Sequence, residues 1–424
     1  MKLTSEERSI LEGREGKTLK KVMKSLVMFG DAFDAERLAS LDGPVPMVFS
    51  TANILMAPYL DMVNEIVNQG LIMKKKFTVD PRPFDFENIE YTEDQKAVLN
   101  NMFPKEKEYK EQLLKAGLKD ENAYTCTCYM KEVGNTPKKG DILAWAESSA
   151  VVFANSVLGA RTNRNAGGME FLSGILGKTP LFGLLTDEGR KARWRIELKT
   201  SRLPEATVLG SAIGMKVNED VPYIVGLDKF IGKELNSNAR DYCKDMGAAA
   251  ASNGAVGLYH VENLTPEAVE KGEELFLEDH RNYIVDDKEI ERIIDSYPLI
   301  WENPKADPDI CFIGCPHLSL DQLYGWSKKI NSALKTEKQK RVRIQTYLAA
   351  APDVIEKFKQ DKKTYQNLLD IGVKPTSLCP LIFLQIPASN IHAAITNSNK
   401  LRTYSTARYL TDEKTVQVIV KGII

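Results

Sequence analysis

Asp309-Ile310-Cys311-Phe312-Ile313-Gly314-Cys315 is an apolar run that ends at glycine and cysteine, and it reads as a buried strand running into a turn. A helix follows from near Ser319, Arg341-Val342-Arg343-Ile344-Gln345-Thr346-Tyr347 is the next strand, and Pro352 to Leu369 the next helix. Strands alternating with helices predict an α/β fold with mostly parallel sheets, in which functional side chains gather at strand ends.

Upstream the alternation continues. Val208-Leu209-Gly210-Ser211-Ala212-Ile213-Gly214 and Val221-Pro222-Tyr223-Ile224-Val225-Gly226 read as apolar strands interrupted by glycine, and Met246 to His260 as a small-residue helix feeding a strand. Thr265 and Pro266 open another helix as its cap and first position. Met47-Val48-Phe49 is a short buried strand before a helical pattern through Tyr59, Met62, Val63, Ile66 and Val67. The first 40 residues have helical spacing with Gly30 as a stop, and the charged run from Glu93 to Lys119 predicts two solvated helices. Between them Phe77 to Phe86 is extended, because Pro81 and Pro83 bar a regular helix. No short repeat, low-complexity tract or long linker divides residues 1–424, which are enough for two or three interleaved α/β subdomains.

Composition excludes several classes of function. A net charge of -1 with 27% charged residues gives no basic surface for nucleic acid or for an anionic membrane. With 43% hydrophobic residues, no apolar stretch of membrane-spanning length and no apolar leader at Met1-Lys2-Leu3-Thr4-Ser5, the expected protein is globular and cytoplasmic. Six cysteines in such a chain are expected to be reduced thiols rather than disulfides.

Three of those cysteines stand far apart, each in a distinctive setting: Thr125-Cys126-Thr127, Gly314-Cys315-Pro316-His317 and Leu378-Cys379-Pro380. They read either as buried core thiols or as ligands of an iron-sulfur cluster. Electron carriers normally use four cysteines, and a cluster that leaves one iron open to substrate needs fewer. The pair Cys126 and Cys128 lacks zinc-type spacing. Cys243 and Cys311 lie in apolar or helical contexts and read as structural thiols.

The block from Ala144 to Arg164 begins as a helix yet places Glu147, Ser148, Ser149, Asn155, Ser156, Arg161 and Asn163 among small and apolar residues. Buried polar groups left unpaired cost about 1 to 3 kcal/mol each, so so many of them predict a polar cavity or, in the plainer reading, caps and buried networks. Gly167-Gly168 ends the run with a turn whose amides could approach an anion.

These motifs together with Leu264-Thr265-Pro266-Glu267-Ala268 resemble the large subunit of the aconitase X family over nearly the whole chain, most specifically from Ala144 to Arg164. The resemblance implies an aconitase-like, multi-domain α/β/α architecture and an iron-sulfur hydro-lyase, a dehydratase acting on a small hydroxy acid. It implies a cluster of two-iron or four-iron type, with Cys126, Cys315 and Cys379 as ligands and one iron open to substrate. It also implies a partner, the small swivelling subunit of a heterodimer, which lines the active site.

On that basis Glu147, Ser148, Ser149 and His317 are the candidate catalytic residues. Arg161 and the amides at Gly167 and Gly168 are candidates to hold a substrate carboxylate, supported by Asn155, Ser156 and Asn163. Ser398 and Lys400 are further anion contacts, in a loop where Asn399 takes the place of the family's usual glycine. Family substrates are cis-3-hydroxy-L-proline and mevalonate 5-phosphate. Free use of Asn, Met and Cys points to a mesophilic chain and so to cis-3-hydroxy-L-proline. The alternatives are the phosphomevalonate dehydratase large subunit and a non-catalytic cluster-binding relative.

Overall fold

No residue of Ile310–Leu318 is exposed, as expected of a central strand in a sheet covered on both faces. In the computed structural model, which describes residues 1–424 apart from Ala388 and Ile391, this strand is the middle of five. The order is Val373–Thr376, Gln345–Ala350, Ile310–Leu318, Ala394–Thr396, Arg408–Tyr409, and every pairing is parallel. The strand does not stop in a turn at Cys315. Gly314 adopts φ +111, a Cβ there would lie 2.3 Å from the Ala349 carbonyl oxygen, and the ladder shifts register between Leu348 and Ala350. This irregularity lets the chain continue to Leu318 while re-aiming the side chains at Cys315.

The crossovers are helical, as parallel pairing requires. Leu320–Thr336 starts with a reciprocal capping box between Ser319 and Gln322. The single helix expected from Pro352 to Leu369 is two, Pro352–Lys359 and Lys362–Asp370, because the Asp361 carboxylate accepts from the Thr364 N–H and restarts the ladder.

A second parallel sheet has the order His260–Val261, Pro222–Val225, Ala192–Lys199, Phe276–Asp286. The stretch Val208 to Gly214, expected to be a strand, belongs to the helix Ala206–Val217. Its glycines are points of close approach rather than breaks. A Cβ on Gly210 would lie 2.1 Å from the Met246 carbonyl oxygen, and one on Gly214 would lie 2.6 Å from that of Ala250, both on the helix Ser237–Gly254. Four-residue spacing of glycines serves helix-on-helix contact.

The first 190 residues are mainly helical. The helix Lys17–Ala32 runs through Gly30, whose missing side chain admits Met1 and Pro180, and the chain then forms the short strand Leu38–Ser40 rather than further helix. Ala57–Asn68, Glu93–Met102 and Glu106–Ala116 are helices at the expected places. Pro46–Met47 pairs in parallel with Thr78–Val79, which points the residue after Val79 inward. Within the polar block only Ser148–Ser156 is helical, and its flanks meet, the Leu143 N–H donating to the Arg161 carbonyl. Among the described residues no helix is long and apolar enough to cross a membrane.

Candidate active site

The C-terminal ends of the five-stranded sheet deliver three of the candidate residues to one place. Cys315 lies within the central strand, Cys379 follows Val373–Thr376 as the cap of Pro380–Phe383, and Lys400 follows Ala394–Thr396 in the helix Asn399–Tyr404. Parallel strands that end together place their following loops together, so three remote stretches of chain converge. From the other side come Asp80, after Thr78–Val79, then Cys126, whose preceding Thr125 N–H donates to the Val79 carbonyl, and Glu147, the cap of Ser148–Ser156. These residues, with Ser148 and His317, line a cavity of about 340 Å³.

Its electrostatics are organised around one ion pair. The Lys400 ammonium lies 2.5 Å from Glu147 Oε1 and donates to Ser149 Oγ at 3.1 Å. Glu147 Oε2 accepts from Ser149 Oγ at 2.7 Å and from the Ala150 N–H at 2.6 Å. Burial works against the Glu147 carboxylate, but Lys400 and these donors together hold its carboxyl below the usual range, and the pairing keeps the buried lysine charged. Asp80 has the opposite setting. Burial, reinforced by the charge of Glu147, pushes its carboxyl well up, and its Oδ1 has no hydrogen-bond partner. One cavity therefore holds one carboxyl held down and one pushed up, a separation that suits acid–base chemistry.

The three cysteines are free thiols. Burial pushes Cys315 and Cys379 up to about 12 and Cys126 higher still, so without a metal they stay protonated. Three neutral sulfurs around one cavity are a soft donor set that a bound metal would deprotonate. Among the described residues no three His, Cys, Asp or Glu side chains converge on a single metal-ion position. These three cysteines are the residues that would hold an iron-sulfur cluster here. Cys128, Cys243 and Cys311 are fully buried in the apolar cores.

The structure does not bring all the candidates to this cavity. Ser149 sits behind Glu147 as its donor. Ser398 caps the helix Asn399–Tyr404, donates to the Cys315 carbonyl and lies against the Cys315 thiol, so it braces the strand beside one of the cysteines. Asn155, Ser156, Arg161 and Asn163, expected to hold substrate, are elsewhere, in a buried network. The Asn155 amide bridges the Thr162 and Gly257 carbonyls, its Oδ1 accepts from Arg190, and the Ser156 hydroxyl accepts from the Tyr259 N–H. Arg161 pairs with Asp187, and Asn163 pins the loop at Phe182 and Leu184. Their polarity is consumed by backbone groups and by Arg190, which is 1% exposed and paired with Glu267. Gly167 and Gly168 do not line this cavity either: a Cβ on Gly167 would lie 2.8 Å from the Phe49 ring, and the Gly168 backbone is among the groups that favour the Glu170 carboxylate. His317 reaches the cavity wall, but both ring nitrogens are engaged, with Thr125 and Leu378, which removes it from acid–base work.

Asp80 is the residue that sequence reasoning missed. Its signal was its position, the first polar residue after the buried pair Thr78-Val79 and directly before Pro81.

Comparison with known proteins decides the lineage. Family models described as the Aconitase X first domain and the Aconitase X second domain match residues 1–188 and 192–295. The chain belongs to the aconitase X family. Among aconitase X proteins, the phosphomevalonate dehydratase large subunit of Thermococcus kodakarensis is 35% identical over 76% of this chain and 75% of its own. The cis-3-hydroxy-L-proline dehydratase of Pseudomonas aeruginosa is 36% identical over 34% of this chain and 24% of its own. The crystal structure of Thermococcus kodakaraensis aconitase X in its holo-form superposes with a TM-score of 0.80 at 29% identity, covering 98% of this chain and 99% of that one. Both named enzymes are dehydratases, and this aconitase X chain is accordingly a hydro-lyase component.

Proposed function

We propose that the chain is the large subunit of a two-chain hydro-lyase that removes water from phosphomevalonate, with an iron-sulfur cluster held by Cys126, Cys315 and Cys379. The observation that carries the reading is the meeting of those three sulfurs with Asp80 and the Lys400–Glu147 pair in one cavity. When bound, a cluster with an open metal position supplies Lewis acidity to a leaving hydroxyl.

The chain's own residues would protonate the leaving group and hold the substrate, and the base that takes the carbon-bound proton would come from the small subunit. Asp80, whose carboxyl is pushed up by burial, is placed to give a proton to the departing hydroxide. Lys400 offers a buried cation to the substrate carboxylate, and Glu147 fixes the ammonium there. The mostly apolar remainder of the wall, including Pro81, Pro380, Leu381 and Ile382, keeps bulk water away from these groups. The small subunit, implied by the large-subunit naming of the relatives, would close the cavity and complete the substrate contacts.

Phosphomevalonate is favoured over cis-3-hydroxy-L-proline, the substrate that composition pointed to, because relatives named for it match along most of both chains. The matched part of the Pseudomonas enzyme is a smaller share of that protein than of this one, so that protein is the longer. One observation favours the other substrate: Lys400 is the only Lys or Arg among the described residues lining the cavity, and it is already paired. On the phosphomevalonate reading the partner chain must then supply the phosphate contacts.

The test is anaerobic co-expression with the small subunit, iron and sulfide analysis, and dehydration assays on both compounds. Turnover of phosphomevalonate alone supports the proposal, and turnover of cis-3-hydroxy-L-proline alone replaces its substrate. A folded, colourless and inactive heterodimer refutes it.

A further inference from the structure

Each ring nitrogen of His317 is bonded to the residue just before a different cysteine. Nε2 lies 3.2 Å from the Leu378 carbonyl, next to Cys379, and Nδ1 lies 3.0 Å from the Thr125 hydroxyl, next to Cys126. His317 itself follows Cys315-Pro316, and its backbone N–H donates to Cys126 Sγ at 3.4 Å. We propose that the His317 imidazole is a positioning group that ties the three cysteine-bearing segments into one frame. The inference rests on reading those cysteines as the cluster ligands.

Hydrogen-bond chemistry fixes the direction of every link. A carbonyl only accepts, so Nε2 carries the hydrogen, and Nδ1 of the neutral ring accepts from the Thr125 hydroxyl. Thr125 Oγ1 in turn accepts from the Thr127 N–H at 3.0 Å and meets the Thr127 hydroxyl at 3.1 Å, so Thr127 is the donor of that pair. From outside the ring, the Lys244 ammonium donates to the His317 carbonyl at 3.1 Å, fixing the backbone as well. The residue is 1% exposed, and every polar atom of the ring has one partner. Neither nitrogen can serve substrate without abandoning a buried partner. What the ring can do is fix the spacing of Cys126, Cys315 and Cys379, which lie on three separate stretches of chain that it bridges. This is how groups behind a metal site orient its ligands, and loss of such a group typically costs about 10- to 100-fold in metal affinity.

The experiment compares wild type with His317→Ala, Thr125→Val and Thr125→Ser. Amide hydrogen exchange on the metal-free full chain is read over 124–128 and 376–380. In the co-expressed complex, iron release to a chelator and the EPR spectrum of the reduced cluster are read. His317→Ala is expected to speed exchange in both segments together, to release iron about 10- to 100-fold faster and to alter the spectrum. Thr125→Val, which removes the donor to Nδ1 together with the acceptor of the Thr127 N–H and hydroxyl, is expected to affect the Cys126 segment and the spectrum, with Thr125→Ser restoring both.

Wild-type exchange in both segments of His317→Ala overturns the frame whether or not the chain binds a cluster. A wild-type spectrum and release rate with activity abolished overturns it in favour of direct catalysis by the ring. Wild-type protein that binds no iron or sulfide, with exchange still raised in both segments of His317→Ala, supports the frame and refutes the cluster reading instead.

Discussion

Replacing Lys400 by Met strands a buried carboxylate, and the size and pH dependence of the effect can be worked from the geometry. Lys400 and Glu147 are 8% and 6% exposed with 2.5 Å between charged atoms, so little solvent screens the pair. Removing one partner of a buried pair costs about 3 to 5 kcal/mol. Here the lower end applies, because Glu147 keeps the Ser149 hydroxyl and the Ala150 N–H. With a urea m-value of about 3 kcal/mol per molar, a loss of about 3 kcal/mol moves the unfolding midpoint down by roughly 1 M.

The pH dependence gives a second readout with a defined sign. In wild type the Glu147 carboxyl sits below its ordinary 4.5, so its contribution is present above that value and lost as pH falls through the lower folded value. In Lys400→Met, burial, the largest influence, is opposed only by the Ser149 and Ala150 donors and is expected to lift the carboxyl above 4.5, so the folded variant takes up a proton before the unfolded chain does. The gap between the two midpoints is therefore expected to narrow as pH is lowered from about 8 to about 5. The assay is urea unfolding of the metal-free chain followed by circular dichroism, with Glu147→Gln/Lys400→Met as the double variant that should recover most of the loss. Equal midpoints at pH 8, or a gap that widens on acidification, would refute the reasoning.

Other expected outcomes are these. Asp80→Asn imitates the protonated carboxyl, so it should leave the unfolding midpoint near wild type while lowering turnover about 10²- to 10⁴-fold; unchanged turnover removes Asp80 from the chemistry. Arg190→Met should destabilise the fold by about 3 kcal/mol, since Glu267 loses its 2.9 Å partner, and Arg190→Met/Glu267→Leu should regain much of it. Measured by the same denaturation, a single variant as stable as wild type would show that the network is not holding the fold. Gly210→Ala forces a Cβ to within 2.1 Å of a backbone oxygen, and a cost of at least about 1 to 3 kcal/mol in thermal or urea unfolding is expected.

The site was legible wherever a residue's role follows from its place on an element. Cys315 was readable at the end of an apolar run, whereas Cys126, Cys379 and Lys400 were named through the family resemblance, because the short strands Val373–Thr376 and Ala394–Thr396 that carry the last two to the cavity gave no pattern of their own. Asn155, Arg161 and Asn163 were misplaced for a different reason. A buried amide or guanidinium shows its polarity in sequence but not its partner, and theirs are Arg190, Gly257, Asp187 and Phe182, as much as about a hundred residues away. His317 was found for its neighbour Cys315, yet its work depends on Thr125 and Leu378, which only folding brings to the ring.

By itself the sequence determined much of the alternation of strands and helices, the unbroken apolar run of the central strand and the helix starts near Ser319 and at Pro266, because each depends on residues within one or two turns of chain, although the Thr265 hydroxyl accepts from the Val261 N–H instead of capping its helix. Only the tertiary structure decided that Val208 to Gly214 is a helix, since its glycines answer to the backbone of Ser237–Gly254 and not to their own neighbours. It alone decided that the Asp80 carboxyl is pushed up while that of Glu147 is held down. The two carboxyls are the same chemistry, and what separates them is a lysine placed within reach of one by a strand more than 240 residues downstream.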